Sequence, residues 1–181
     1  MRSTYKYALV TGTVVGLFAI GFFSVVNHFN TTNNWGFQPD NIRGIGGLLT
    51  ILILGIGIYS TMRSLKSGQS GILTYGQAVK AGITVAVITA LIAALFSFIY
   101  CTLINPGYAE YMVNEAHKTM IAKGESPQQI AEHLADERKQ FSTGMQVMMA
   151  LVGQSVVGTI ISSIMAIFMK NKNNKMQPGL N

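Results

Sequence analysis

The chain has 181 residues, a net charge of +6 and one cysteine; 49% of its residues are hydrophobic and only 11% charged. A soluble domain carries about 25% charged residues, so this composition points to a lipid-facing surface. The basic residues cap apolar runs rather than form a patch interleaved with aromatics, which argues against nucleic acid as a partner, and Cys101 alone cannot build a disulfide framework or a cysteine zinc site.

The first apolar run, Ala8 to Val26, follows Arg2 and Lys6 and holds 19 uncharged residues. A signal peptide would have a shorter core and a small-residue cleavage site, which is not found near Phe22-Phe23-Ser24, so an uncleaved helix is expected. Within it Gly12 and Gly16 form a GxxxG, a spacing that lets two helix backbones approach closely. Asn27 to Arg43 reads as a polar link, with Trp35 and Phe37 placed at the headgroup level.

The second run, Gly44 to Met62, again has 19 uncharged residues and ends at Arg63 and Lys66. Ser67 to Gly71 then reads as a tight link. Thr74 is the expected N-cap of the next helix, with Gln77 as its capping-box partner. The third run, Ala81 to Ile104, contains 24 residues without a charge or a proline. At about 1.5 Å per residue it is long enough to cross a hydrocarbon core about 30 Å thick. Asn105-Pro106-Gly107 stops it.

The segment from Asn105 to Thr143 differs from the rest, carrying six of the seven acidic residues. Met112, Ala116 and Met120 mark one face of a helix over Tyr108 to Ala122, which Lys123-Gly124 ends. Ser126, Pro127 and Gln129 supply the cap, first position and third position of another helix, along which Ile130, Leu134 and Phe141 form a stripe. The pair reads as a helical hairpin outside the bilayer. The fourth run, Met145 to Met169, has 25 uncharged residues, is closed by Lys170, Lys172 and Lys175, and leads into a tail to Asn181 expected to be disordered.

Four spans place Arg2, Lys6, Arg63, Lys66, Lys80, Lys170, Lys172 and Lys175 on one side with no acid, and all seven acids on the other. Basic residues in short loops mark the cytoplasmic face, so both termini are expected inside.

No Asp, Glu, Lys, Arg or His lies inside any run, which argues against a proton-coupled transporter. The polar residues within the spans are milder. Ser155, Thr159 and Ser163 recur every four residues, with Gln154, Gly158 and Ser162 beside them. Such a face serves either as helix–helix contact or as a pore lining, and Thr84, Thr89, Ser97 and Tyr100 in the third run allow the same two readings. His117 and His133, with Met112, Met120, Met145, Met148 and Met149, suit copper(I) by ligand type, but no ligand spacing supports a metal site. The acids Glu110, Glu115, Glu132, Asp136 and Glu137 have no organised partner and read as a solvated face. The chain carries no G-x-S-x-G, P-loop, dinucleotide or zinc pattern. No catalytic residue, cofactor or metal is therefore expected.

Taken in order, Leu73-Thr-Tyr-Gly-Gln-Ala-Val-Lys-Ala-Gly82 entering span three, Phe98-Ile-Tyr100 and Ile104-Asn-Pro106 leaving it, Ser126-Pro-Gln-Gln-Ile130 in the charged segment, and a last span ending in lysine form a recognisable arrangement. It resembles the uncharacterised bacterial integral-membrane family called domain of unknown function 4199, over nearly the whole chain. The resemblance implies a four-span protein of the bacterial inner membrane and assigns no activity. Gln77 and Asn105 stand where that family often has acids, so no role resting on those acids transfers.

The expected fold is all-α: one integral-membrane domain over residues 1–181, with a four-helix transmembrane bundle (about 8–26, 44–62, 81–104 and 145–169). An extracytoplasmic helical hairpin (about 105–143) separates helices three and four. Gly12, Gly16, Ser155, Gly158, Thr159, Ser162 and Ser163 are the expected packing face, or alternatively a pore face. The expected partners are the lipid bilayer and either a second copy or another membrane protein. The function expected is that of a non-enzymatic subunit or accessory of an envelope assembly; the alternative is a small transporter or channel for a neutral or hydrophobic solute.

Overall fold

In hydrocarbon no water can satisfy a backbone N–H or C=O, so an apolar run must bond within itself, and the helix is how it does so. The computed structural model describes residues 2–33 and 39–171. Among them there are six α-helices and no strand: α1 (Arg2–Asn33), α2 (Pro39–Gly68), α3 (Tyr75–Ile99), α4 (Tyr108–Ala122), α5 (Pro127–Gln140) and α6 (Thr143–Met169), with a π turn over Tyr100–Ile104 continuing α3. Four stretches are long and apolar enough to cross a membrane: Ser3–Val26, Gly44–Gly68, Tyr75–Ile104 and Thr143–Met169. Their outward side chains agree: Leu103 and Phe168 are 76% and 81% exposed, and Leu9, Leu17, Leu52, Leu91 and Ile160 are exposed with them. An apolar surface of that extent needs lipid to cover it.

The helices outrun the apolar stretches. α1 continues through Asn27 to Asn33, and α2 begins at Pro39, so most of the expected link is helical. α2 likewise runs on to Gly68, beyond Met62. Hydropathy marks where lipid ends, whereas a helix stops only where its hydrogen bonds find another partner. Pro39 suits the first position of α2 because its missing N–H would have no partner there. Trp35 and Phe37, and the tail with Lys172 and Lys175, lie outside the described residues.

The expected caps form. Thr74 accepts from the Gln77 N–H while the Gln77 side chain accepts from the Thr74 N–H, and Ser126 and Gln129 do the same at α5. α4 ends over Lys123-Gly124: Gly124, at φ +75°, lets its own N–H reach the Ile121 carbonyl and the Glu125 N–H reach the Met120 carbonyl.

α3 is the hub. It touches α1, α2 and α6, while α1 and α6 sit on opposite sides of the α2–α3 pair. The small buried side chains of α3 (Ala78, Ala81, Gly82, Ala86, Ala90, Ala93) explain how three helices can crowd one. Glycine contacts give the register. Gly12 and Gly16 of α1 meet Ile92 and Phe96 of α3, so these two helices run parallel. Gly82 meets Ser162 and Gly158 meets Ala86, so α3 and α6 run antiparallel.

The halves of the assembly differ. At the end where Lys66, Lys80 and Lys170 gather, Ala8, Leu54, Ile58, Met62, Val85 and Ala166 form a solid core. That end is tied by the Lys66 ammonium donating to the Met169 carbonyl at 3.0 Å, a cation on the negative end of α6. Leu73 and Asn171 are bonded twice beside it, at 3.2 and 3.1 Å. At the opposite end α4 and α5 rest on each other, with Met112, Val113 and Phe141 buried between them and Leu134 packed alongside.

Candidate functional site

The half of the bundle nearer α4 and α5 is hollow. A cavity of about 450 Å³ lies between α1, α2, α3 and α6, lined among others by Val15, Phe23, Thr50, Phe96, Tyr100 and Gln154. Its size falls in the usual range of small-molecule sites, about 300–1,000 Å³. Among the described residues no Asp, Glu, Lys, Arg or His lines it.

The π turn shapes one wall. The Asn105 N–H donates to the Tyr100 carbonyl at 2.7 Å, five residues back instead of four, and this widened turn swings Tyr100 and Cys101 inward, where both are buried. The Asn105 amide donates to the Tyr100 hydroxyl at 3.2 Å. The Tyr100 ring stands edge-on to Tyr108 at 5.7 Å, and Tyr108 to Phe141 at 6.4 Å, so an aromatic chain connects the cavity wall to the α4–α5 pair.

Most polar atoms on the cavity wall have a partner. Thr50 donates to the Gly46 carbonyl at 2.8 Å, and the Gln146 amide donates to the Gln140 carbonyl at 2.9 Å. Gln154 is the exception, since its Oε1 is buried without a hydrogen-bond partner. An unmatched buried acceptor costs about 1–3 kcal/mol, which a bound donor would recover.

The seven residues singled out for packing or a pore fall into two groups. Gly12, Gly16, Gly158 and Ser162 are buried, and all four lie where α1 or α6 meets α3. A Cβ added at Gly12 would stand 2.6 Å from Ile92 Cδ1 and 3.2 Å from the Thr89 backbone. Ser155, Thr159 and Ser163 are half-buried, and their hydroxyls donate to the carbonyls of Leu151, Ser155 and Thr159 on their own helix. None of these three lines the cavity. Of the polar residues of span three, Ser97 and Tyr100 line it and Thr89 does not.

Sequence reasoning noted Gln154 only as a neighbour of the serine stripe. A glutamine amide within an apolar run was the available signal, because a polar group in hydrocarbon is costly and therefore usually has a use.

A smaller cleft of about 390 Å³ between α4 and α5 is lined by Glu115, Lys123, Glu125, His133, Asp136 and Glu137 among others. His133 Nδ1 lies 2.8 Å from Glu125 Oε2, and Lys118 bonds Glu115 at 2.6 Å. That hydrogen bond and the Glu115 charge hold the Lys118 ammonium above the ordinary lysine value. Among the described residues no three His, Cys, Asp or Glu side chains converge as metal ligands.

The family model described as Protein of unknown function (DUF4199) matches residues 6–171. The chain belongs to this family. The match runs from the first turns of α1 to the second residue beyond α6, so it covers the cavity walls and the α4–α5 pair together. No curated protein and no solved structure matches.

Proposed function

We propose that this member of the family binds a neutral, largely apolar small molecule in the cavity of the four-helix bundle and catalyses no reaction on it. One observation carries the reading: a hollow without ionic side chains among the described residues occupies one half of the bundle, while the other half is filled by side chains. The filled half argues against an open channel. A one-sided receptor, or a transporter with its site open toward one face, fits better.

The protein would lie in a bacterial inner membrane, with its basic end and both termini in the cytoplasm. α4 and α5 would then form the extracytoplasmic hairpin above the cavity. The asymmetry of Lys and Arg supports that orientation.

The test is uptake of an uncharged aromatic fluorophore by the full chain in detergent. Ala150→Trp, which fills the lining, is expected to abolish saturable uptake. Equal uptake by wild type and variant would end the proposal.

A second reading, an accessory subunit of an envelope assembly or a homo-oligomer, draws support from α4 and α5 packing chiefly on each other, which leaves their charged surfaces facing outward. The small-residue faces no longer support it, because Gly12, Gly16, Gly158 and Ser162 are used against α3 of the same chain. Crosslinking in native membranes with α4–α5 as bait should recover a partner or a second copy; recovering neither would count against it.

A further inference from the structure

The cavity's hydrogen-bonding inventory narrows what it can hold. We infer that the ligand is an uncharged amphiphile carrying one hydrogen-bond donor, a hydroxyl or an amide N–H, and that Gln154 Oε1 accepts it; this rests on reading the cavity as a binding site.

Three observations lead there. Thr50 donates to the Gly46 carbonyl and the Tyr100 hydroxyl accepts from Asn105, whereas the Gln154 carbonyl oxygen is buried and unengaged. A ligand gains most by supplying the donor that this oxygen lacks. Next, Gln154 lies eight residues along α6 from Gln146, where α6 meets the end of α5. At about 1.5 Å per residue this places the amide about 12 Å deeper, within the apolar span and away from the headgroups. A charged head at that depth would be expensive, and among the described residues no counter-ion lines the cavity to offset it. Finally, Val15, Ala19, Phe96, Met149 and Val157 make the remaining wall apolar, which suits an alkyl or ring body.

Gln154 therefore discriminates by donor, and the apolar wall by fit. A matched pair of probes isolates the donor: 1-dodecanol has one, while 1-methoxydodecane keeps the chain and the oxygen but lacks it. Binding to the detergent-solubilised full chain is read as the probe concentration that gives a set rise in thermal unfolding midpoint, compared between the two probes. The alcohol should act at a concentration about tenfold lower than the ether, as expected for one buried hydrogen bond. In Gln154→Leu the ether should be unaffected and the alcohol should lose its advantage.

Parity of the two probes on the wild type would overturn the inference while leaving the cavity reading intact, and so would an alcohol preference that survives in Gln154→Leu. If neither probe shifts the wild type, or if Ala150→Trp responds as the wild type does, the cavity reading itself fails. Should Gln154→Leu not fold, Gln154→Met, which keeps the length of the side chain without its amide, takes its place with the same expected outcomes.

Discussion

Gly158 shows how much a single hydrogen atom can decide in this protein. A Cβ there would collide with the Ala86 side chain, across the contact of α3 and α6. Gly158→Leu should destabilise the detergent-solubilised chain by about 3 kcal/mol, the upper range for overpacking. Gly153, where a Cβ meets nothing within 4 Å, is the control: Gly153→Ala should change stability by about 0.5 kcal/mol or less, and unfolding midpoints would compare the two. Glycine spacing in the sequence foretold close approach but not the partner, since periodicity gives a face and no distance to another helix. A second effect at this scale concerns charge. Lys118 titrates above the ordinary lysine value because Glu115 bonds and attracts it. The sign follows: the pair's contribution is fully present below the unfolded lysine value and is lost as pH rises through the folded one. Replacing Glu115 by Gln should move the Lys118 titration, followed by NMR, downward.

At the scale of elements, hydrophobic runs located the four long helices, and short cap signals located the ends of α3, α4 and α5. Both are local properties, decided within a few residues of one another. The π turn was not legible. Tyr100 to Ile104 continues the apolar pattern without a break, and the extra residue is accommodated by what it presents to the cavity and by Asn105 bonding back to it. The α4–α5 pair depends on Phe141, which is buried with Met112 and Val113 and stands edge-on to Tyr108. Phe141→Ala should cost about 3–5 kcal/mol locally, which is the usual loss for a buried phenylalanine. Hydrogen exchange is expected to show lost protection across 108–140 while α3 and α6 stay protected. Equal loss in all four spans would mean that these two helices are not a separable unit.

At the scale of the whole molecule, the asymmetry of charge along the bundle coincides with the asymmetry of packing. The end bearing Lys66, Lys80 and Lys170 is tied and filled, and the hollow lies toward the end bearing α4 and α5. If the basic end faces the cytoplasm, a cysteine placed at Ser70, exposed between α2 and α3, should react with a membrane-impermeant maleimide only after bacterial cells are permeabilised. A cysteine at Gln128, exposed at the start of α5, should react in intact cells; reversed labelling would invert the orientation. The native Cys101 is buried and should stay silent in both. The cavity would then face the periplasmic leaflet, and its ligand would arrive from that side.

Hydropathy, charge placement and caps are sums over neighbouring residues, so the amino-acid order by itself determined four apolar spans, the segregation of charge and the capped starts of α3 and α5. The cavity and its orphaned acceptor were decided only by tertiary structure. Val15, Thr50, Tyr100 and Gln154 come from four different helices, and nothing local records that they surround one space. That depends on Leu54, Ile58, Met62 and Val85 filling one half of the bundle, and on the π turn and small residues such as Gly47 and Gly153, where a Cβ would meet nothing within 4 Å, leaving the other half open.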